Sequence, residues 1–411
     1  MNLEQLKTEI QKYQYLEDTK IIDVTLASVL ATRLMIGDPV WLIIIGASSG
    51  GKSQILRPVS LTDGTFIHRV DDLTENTFLS GAKSKDGEIS LLNKIGPKGI
   101  MVISDLTVLF SKQAESRAVI LSQFRMIYDG EMSKSTGNSN VALEWKGYLG
   151  VIAGSTPSIY ANFEEVADMG ERFIYWRMKD YDPHKATHLA LSRKKFGKGL
   201  DDTLSDLYKE YLKDVALSHD DREIEITEEV MNRLIEVAMF AEKVRTVSHK
   251  SWDGKEIDRI PTPAMPMRVA LQLQSIAKAL AVMRNHESGT YELQEQDLTV
   301  LDWCGYSLAN EEKRAVLRVL AGTEFDVFVS SQAIADRIGL STRVVDMICQ
   351  NLSAVNFIER TGGDNGLHWK FKDVRDYGVV RRIEHIEKVE VIVERERTTG
   401  EGFVDTVGDD F

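Results

Sequence analysis

The residues with the clearest chemical signature follow an apolar run at positions 41–45. Gly46 comes directly after this run, and after four further residues the chain reads Gly51-Lys52-Ser53. This spacing is that of a phosphate-binding P-loop, whose glycines let successive backbone N–H groups converge on phosphate oxygens at a helix N-terminus. In such a loop Lys52 reaches the β- and γ-phosphates, and the hydroxyl of Ser53 binds Mg²⁺. The predicted nucleotide-binding residues are Gly46, Ala47, Ser48, Ser49, Gly50, Gly51, Lys52, Ser53 and Gln54.

A P-loop also requires a carboxylate at the tip of a neighbouring strand, which holds Mg²⁺ or its water, and usually a second group that polarises the attacking water. Asp105 ends an apolar run and is the candidate, but Leu106 follows where many ATPases carry a glutamate. Two alignments remain open. In the first, Asp105 serves the metal and Asp129 or Glu131 activates water. In the second, Ser104 serves the metal and Asp105 activates water.

The elements that must position these residues are strands of a buried parallel sheet. Short apolar runs bounded by turn signals occur at residues 41–45, 99–105 and 148–154. Such runs are typical of strands covered on both faces, and the helical segments between them predict a doubly wound α/β fold. Ligands bind at the carboxyl ends of the strands in this architecture, which is where the candidate residues fall. Residues 2–34 have helical spacing and are expected to pack beside this core.

Beyond the sheet, the sequence predicts a helical subdomain, a winged helix and a tail. The subdomain is indicated by long stretches of helical spacing. A helix, a helix-turn-helix and a Gly-rich hairpin then follow one another, which is the pattern of a winged helix. The last residues are charged and finally acidic, which is typical of a mobile tail. The predicted segments are an α/β nucleotide-binding core with N-terminal helices at 1–190, the helical subdomain at 191–309, the winged helix at 310–378 and the tail at 379–411.

The composition restricts the classes of function. The 411 residues carry a formal net charge of −13, which argues against coating nucleic acid over a broad surface, because such binding relies on phosphate neutralisation. A few basic residues lining the pore of a ring remain compatible with this charge. The 2 cysteines lie far apart, so neither a disulfide framework nor a structural zinc site is predicted. No signal sequence or membrane-spanning run is recognisable, so a cytoplasmic protein without membrane contact is expected.

Beyond Asp105, short motifs resemble those of AAA+ replicative helicases of the minichromosome maintenance (MCM) type, and in particular their shortened relatives in phages and mobile elements. Gly154-Ser155-Thr156-Pro157 resembles the end of the sensor-1 strand, Gly170-Glu171-Arg172-Phe173 the arginine-finger element, and Pro266-Met267-Arg268 the start of the sensor-2 helix. Thr156 stands where those helicases often carry asparagine. The motifs occur in the family's order, and the resemblance covers most of residues 20–375.

The resemblance implies that the ligands are ATP and Mg²⁺, and that Thr156, Arg172 and Arg268 are catalytic together with Lys52 and Asp105. Thr156 would contact the γ-phosphate or the attacking water, and the two arginines would neutralise charge on the transferred phosphoryl group. In the family the finger, and often sensor 2, acts on the nucleotide of the adjacent subunit, so a homo-oligomeric ring, a hexamer, is expected. The second of the two alignments fits the family pattern better and is preferred.

Contacts with DNA are predicted at two places. Two extended arms around a Gly-Asn-Ser-Asn turn at residues 132–145 predict a β-hairpin. In the resembled family a hairpin at this place projects into the ring pore and contacts single-stranded DNA, so Lys134 and Asn138 are candidate contacts. In the predicted winged helix, Arg343 of the recognition helix and Lys370 beside the wing are further candidates.

Taken with the resemblance, these features predict an ATP-driven ring helicase that acts in replication of a phage or mobile element and translocates on single-stranded or forked DNA. One alternative is an AAA+ initiator or helicase loader, which assembles on DNA without processive unwinding. A second is a nucleotide-dependent binding module, which turns over little ATP because its pair of carboxylates is incomplete. The acidic C-terminus, Asp409-Asp410-Phe411, resembles recruitment tails and is a candidate docking segment for replication proteins.

Overall fold

The computed structural model divides the chain into two compact units, residues 1–310 and 311–411. The boundary lies between a helix that ends at Tyr306 and a helix that begins at Glu311. The residues that the structure describes are 1–48, 50–80, 83–84, 87–88, 90–135, 142–162, 172–179, 182–192, 199–220, 223–246, 249–250, 257–259, 265–363 and 366–383.

A five-stranded parallel sheet forms the core of the first unit. The strands of this unit are β1 (Trp41–Ile45), β2 (Ile67–Val70), β3 (Lys83–Ser84), β4 (Gly87–Glu88), β5 (Lys98–Ile103), β6 (Glu131–Ser135), β7 (Ala142–Lys146), β8 (Tyr148–Ser155), β9 (Ile174–Arg177), β10 (His249–Lys250) and β11 (Ile257–Arg259). The sheet has the order β2-β5-β8-β1-β9 and every pairing in it is parallel, so the predicted α/β sheet is confirmed. β2 and β9 are additions to the strands predicted from the sequence. The remaining strands form antiparallel pairs, β3–β4, β6–β7 and β10–β11.

Helices flank this sheet. They are α1 (Leu3–Gln11), α2 (Lys20–Arg33), α3 (Lys52–Leu61), α4 (Leu91–Ile95), α5 (Thr107–Phe110), α6 (Ala114–Tyr128), α7 (Pro183–Ser192), α8 (Leu200–Ser218), α9 (Glu228–Arg245), α10 (Met267–Ser288) and α11 (Glu295–Tyr306). Helix α2 packs on β8 and α10, α3 packs on β8 and α8, and α11 packs on β9. Among the described residues, none of the helices combines the length and apolar character needed to cross a membrane.

Burial explains why the sheet strands are continuous apolar runs. Every residue of β1 is buried, and so is β8 from Leu149 to Ser155. Strands covered on both faces have no solvent-facing side on which polar residues would alternate. Helix α2 is buried along nearly its whole length for the same reason, because it lies against β8 and α10.

Buried ion pairs join the last three helices of the first unit. Arg284 of α10 donates to Asp297 of α11 over 2.7 Å, and Arg233 of α9 donates to Asp302 of α11 over 2.6 Å. Both carboxylate side chains are fully buried, so removing either partner would leave an uncompensated charge. These helices therefore belong to the same compact unit as the sheet.

The second unit combines helices with a small antiparallel sheet. Its elements are α12 (Glu311–Ala321), β12 (Val329–Ser330), α13 (Ser331–Ile338), α14 (Thr342–Ala354), β13 (Ile358–Gly363), β14 (Gly366–Phe371) and a last helix at 374–383. The sheet order is β12-β14-β13. Gly339 ends α13 with a positive φ of 71°, and the side chain of Ser341 caps α14. Trp369 of β14 is buried and donates its indole N–H to Ser331 over 2.8 Å, which ties the sheet to α13.

The close contact between β8 and α2 generates a stability prediction. A β-carbon at Gly150 would overlap the hydroxyl of Thr32 and lie 3.2 Å from its Cβ. Gly150→Ala is therefore expected to lower the free energy of unfolding by about 1–3 kcal/mol, because a packed helix and strand must separate. Urea unfolding measures this. Gly64→Ala is the control, since a β-carbon there has open space around it, and equal stability of the two variants would contradict the packing described.

Candidate functional site

The predicted P-loop connects the carboxyl end of β1 to the start of α3. The N–H of Gly46 donates to the carbonyl of Ser155 over 3.2 Å, and the N–H of Gly50 donates to the carbonyl of Ala47 over 3.0 Å. Gly51 precedes α3 with a positive φ of 85°, a conformation that strains any residue with a β-carbon. The chain therefore turns sharply between β1 and α3, and the helix N-terminus faces the loop. Ser49 lies outside the described residues.

The Lys52 side chain folds back over the loop. Its Nζ donates to the carbonyls of Gly46 and Ala47, over 2.8 and 2.7 Å, and the residue is 9% exposed. Burial lowers the pKa of the Lys52 ammonium, and the charge of Asp105 opposes that shift. The lysine is thus held inside the loop by carbonyl oxygens, in a position where phosphate oxygens could replace them as acceptors.

Asp105 and Thr156 meet through a third residue, Thr107, which sequence reasoning missed. The N–H of Thr107 donates to the carboxylate of Asp105 over 2.9 Å, and its hydroxyl accepts from the N–H of Thr156 over 3.2 Å. The N–H of Leu106 also donates to the carbonyl of Gly154 over 2.7 Å. The ends of β5 and β8 are therefore joined, and both predicted residues lie at the edge of the sheet that carries the P-loop.

The oxygen donors at this edge fit Mg²⁺. Ser53 is exposed in the first turn of α3, and Asp105 is partly exposed beyond the end of β5. Mg²⁺ prefers hard oxygen ligands and usually takes one or two carboxylates together with phosphate and water. Within the described part of the chain, no group of three or more His, Cys, Asp or Glu side chains could hold a metal by itself. A Mg²⁺ site made of the Ser53 hydroxyl, the Asp105 carboxylate and nucleotide phosphates is consistent with both observations.

Ser104 has a hydrogen-bond partner that no sequence motif indicates. Its hydroxyl donates to Asp71 over 2.6 Å, and Arg69 Nε donates to Ser104 over 3.1 Å. The Ser104 hydrogen bond lowers the pKa of the Asp71 carboxyl, and the neighbouring Arg69 lowers it further. Asp71 is thus an ionised group beside Ser104. It follows β2, a strand absent from the sequence prediction.

Asp129 and Glu131, the candidate bases of the first alignment, lie away from the P-loop. Asp129 follows α6 and accepts two hydrogen bonds from Arg172, which stands just before the amino end of β9. Glu131 begins β6 and lies opposite Lys146, just before β8 starts. Because all sheet strands are parallel, their amino ends lie on the edge opposite the P-loop. The structure therefore does not bring either carboxylate to the nucleotide-binding edge.

Arg172 and Arg268 both lie toward this amino-terminal edge, since Gln272, one turn after Arg268 on α10, accepts from the N–H of Trp41 at the start of β1. Arg172 is 5% exposed and lies over the ring of Tyr128, 5.4 Å from its centroid. Burial raises the pKa of the Tyr128 phenol, while the charges of Arg268 and Arg172 oppose the shift. Arg268, near the start of α10, is exposed. The two predicted arginines thus lie away from the P-loop of their own chain.

Gln272 fixes this arrangement and was not predicted. Its Oε1 accepts from the N–H of Trp41, the first residue of β1, and its Nε2 donates to the carbonyl of Arg172, both over 2.9 Å. The side chain is fully buried. β1 separates this contact from Gly46, and a strand of five residues spans about 16 Å. The backbone of Arg172 is therefore held at a fixed distance from the loop.

A cleft that is partly open to solvent adjoins the P-loop. Ligand pockets combine apolar walls with a few polar groups. No sequence motif indicates this cleft, because its walls come from distant segments. They include Tyr15, Leu16, Glu17 and Asp18 between α1 and α2, Gly50, Gly51 and Gln54 of the loop and helix, and Trp176, Met178 and Lys179 beside β9.

The predicted hairpin is present as β6 and β7, but Lys134 is already engaged. Its Nζ donates to the carbonyl of Glu75 over 3.0 Å, to Oδ1 of Asn76 over 2.6 Å and to the carbonyl of Leu79 over 3.4 Å. The ammonium therefore ties β6 to the segment after β2. Asn138, in the turn, lies outside the described residues.

The two candidate DNA contacts of the second unit differ in their surroundings. Arg343 is exposed in the first turn of α14. Lys370 of β14 lies 3.3 Å from both Asp326 and Glu359, and its Nζ is 5.0 Å from the ring centroid of Phe328. Arg343 is thus available to a partner, whereas the charge of Lys370 is largely compensated. The tail at 384–411 lies outside the described residues.

Comparison with known proteins adds no assignment, since neither a protein-family model nor a curated protein matches the chain.

The Arg172–Asp129 pair generates a prediction about stability. Asp129→Asn removes the carboxylate charge that faces a buried guanidinium, so we expect the free energy of unfolding to fall by about 1–2 kcal/mol. The control is Glu131→Gln, whose exposed pair with Lys146 should contribute less than about 0.5 kcal/mol. Chemical denaturation of both variants measures the difference. A loss in Glu131→Gln as large as that in Asp129→Asn would contradict this assignment.

Proposed function

We propose that this protein is an ATP hydrolase of the AAA+ type whose active site is shared between neighbouring copies of the chain. The observation that carries the proposal is the separation of two groups of residues. Lys52, Asp105 and Thr156 belong to the P-loop edge of the sheet, while Arg172 and Arg268 lie at the opposite edge. Because a strand length separates them, the arginines of one copy would complete the site of the next copy.

On the nucleotide side, the loop N–H groups and Lys52 would bind the phosphates, and the cleft beside Gly51 would receive the base and ribose. Ser53 would hold Mg²⁺ together with Ser104 in the preferred alignment, or with Asp105 in the other, and the ion when bound neutralises phosphate charge. Water attacks the γ-phosphorus, the bond to the bridging oxygen breaks and ADP leaves. In the preferred alignment Asp105 accepts the proton of that water, and Thr156 orients the water or the γ-phosphate.

On the arginine side, Arg172 would be a preorganised donor and Arg268 an exposed one. Asp129, Tyr128 and Gln272 fix Arg172 before any nucleotide arrives, so its charge needs little reorganisation. Both side chains would stabilise negative charge on the transferred phosphoryl group. In the same proposal, the helices α8–α11 form the lid subdomain with α10 as the sensor-2 helix, and the second unit is a winged helix.

The proposed use of ATP is movement along single-stranded DNA in a hexameric ring, during replication of a phage or mobile element. The β6–β7 hairpin supports this use, since it lies where the resembled helicases carry a pore hairpin. The three hydrogen bonds of Lys134 favour a second candidate, an initiator or loader that assembles on DNA without unwinding it. Exposed Arg343 offers a contact for either role.

The shared site predicts that two inactive variants restore each other. Lys52→Ala loses a phosphate contact within the loop, and Arg268→Ala loses an arginine at the opposite edge, so each alone should hydrolyse ATP about 10³-fold more slowly than the wild type. In a mixture, an intact P-loop from one variant can face an intact Arg268 from the other. Phosphate release should therefore recover on mixing. A mixture as inactive as its components, although both variants fold and assemble, would rule out the shared site.

Forked DNA separates the two candidate uses of ATP. If the protein translocates, wild type should displace the paired strand and Lys134→Ala should lose this activity while retaining ATP hydrolysis, because the hairpin is no longer tied to Glu75, Asn76 and Leu79. Glu131→Gln, at the other end of the same strand, is the matched control. DNA-stimulated ATP hydrolysis by wild type without strand displacement would favour the initiator or loader.

A further inference from the structure

The ends of β2 and β5 bring Asp71 and Ser104 side by side. The two strands pair in parallel with Val70 opposite Ile103, so the next residues of each strand emerge at the same level. The Ser104 hydroxyl donates to Asp71 Oδ1 over 2.6 Å, and Arg69 Nε donates to the same oxygen over 2.9 Å. One oxygen of the carboxylate is thus held by two donors.

Asp71 also follows a strand that packs against the P-loop helix. Helix α3, which carries Ser53 in its first turn, packs against β2. Asp71 and Asp105 line one small hollow at the carboxyl ends of β2 and β5. Asp71 is therefore connected to the nucleotide-binding edge in two ways: β2 packs on α3, and Asp71 contacts Ser104 at the end of β5.

We propose that Asp71, which follows β2, is a positioning carboxylate for Mg²⁺ beside Ser104, the residue that serves the metal in the preferred alignment. This inference rests on the proposed binding of ATP and Mg²⁺. Mg²⁺ keeps several of its water ligands, and carboxylates near it accept hydrogen bonds from those waters. The hydrogen bonds from Ser104 and Arg69 hold the Asp71 carboxylate in place for that role. Asp105 then remains available to the attacking water.

The neighbouring carboxylate, Asp72, is the natural comparison. It lines the same hollow but is bound by Lys112, whose Nζ lies 2.8 Å away. Ser104 bonds to Asp71, and the pair Asp72–Lys112 stands apart from that contact. Replacing Asp72 therefore changes the charge of the segment by the same amount without touching the Asp71–Ser104 contact.

The experiment measures binding of a fluorescent, nonhydrolysable ATP analogue to the full chain, with Mg²⁺ and with excess EDTA. In Asp71→Asn we expect affinity in EDTA to equal that of wild type, and the gain in affinity on adding Mg²⁺ to fall by roughly 10–100-fold. Asp72→Asn should keep the wild-type gain. Ser104→Ala, which retains the charge but releases the carboxylate, should lose part of it. Circular dichroism melting verifies that each variant is folded.

The possible outcomes separate this inference from the proposed function. Wild type that binds no ATP analogue under either condition would overturn the proposed function. Wild type with a clear Mg²⁺-dependent gain that Asp71→Asn retains in full would overturn the role of Asp71 alone. An equal loss in Asp71→Asn and Asp72→Asn would also overturn it, because the effect would then come from general surface charge.

Discussion

The parallel pairing of β1 with β8 on one side and β9 on the other is the constraint on which the rest of the candidate site depends. Because of this pairing, the carboxyl ends of β1 and β8 lie at one edge of the sheet, and the P-loop and Thr156 follow them there. It places Arg172, which precedes β9, at the other edge. Since β1 is fully buried, neither end can shift without disturbing the core. The distance between the two groups is thus a property of the sheet.

Uncharged side chains fix the charged ones within this frame. Thr107 joins the ends of β5 and β8, and Gln272 joins the start of β1 to the backbone of Arg172. Amides and hydroxyls can satisfy buried backbone groups without the desolvation cost of an ion. No sequence motif marks Thr107 or Gln272, because the role of each depends on the groups that it contacts in the folded chain. This is why sequence reasoning found Asp105 and Arg172 but missed Thr107 and Gln272.

The same distinction explains which strands could be predicted. β1, β5 and β8 are long apolar runs, so the composition of these segments predicts that they are buried. β2 reads Ile-His-Arg-Val and β9 contains an arginine, so neither stands out from a loop with a few apolar residues. Because β2 is not predicted from the sequence, Asp71 is not a candidate there. The candidates for a second carboxylate are instead Asp129 and Glu131, which follow Asp105 along the chain. The hydrogen bonds of Lys134 were equally hidden, because its acceptors precede it by more than fifty positions.

When a charged side chain is already bonded to groups of its own chain, the consequence depends on whether it acts in catalysis or in binding DNA. For Arg172, bonds to Asp129 are compatible with stabilising a transition state, since a fixed charge avoids reorganisation when the reaction occurs. For Lys134 and Lys370, nearby acceptors or acidic groups reduce what each ammonium can offer to a phosphate backbone. In a protein with a net charge of −13, such compensation lowers the positive charge that these two residues can offer to nucleic acid. In the proposed ring, binding to DNA would therefore gain strength from contacts repeated across several copies rather than from strong contacts of one copy.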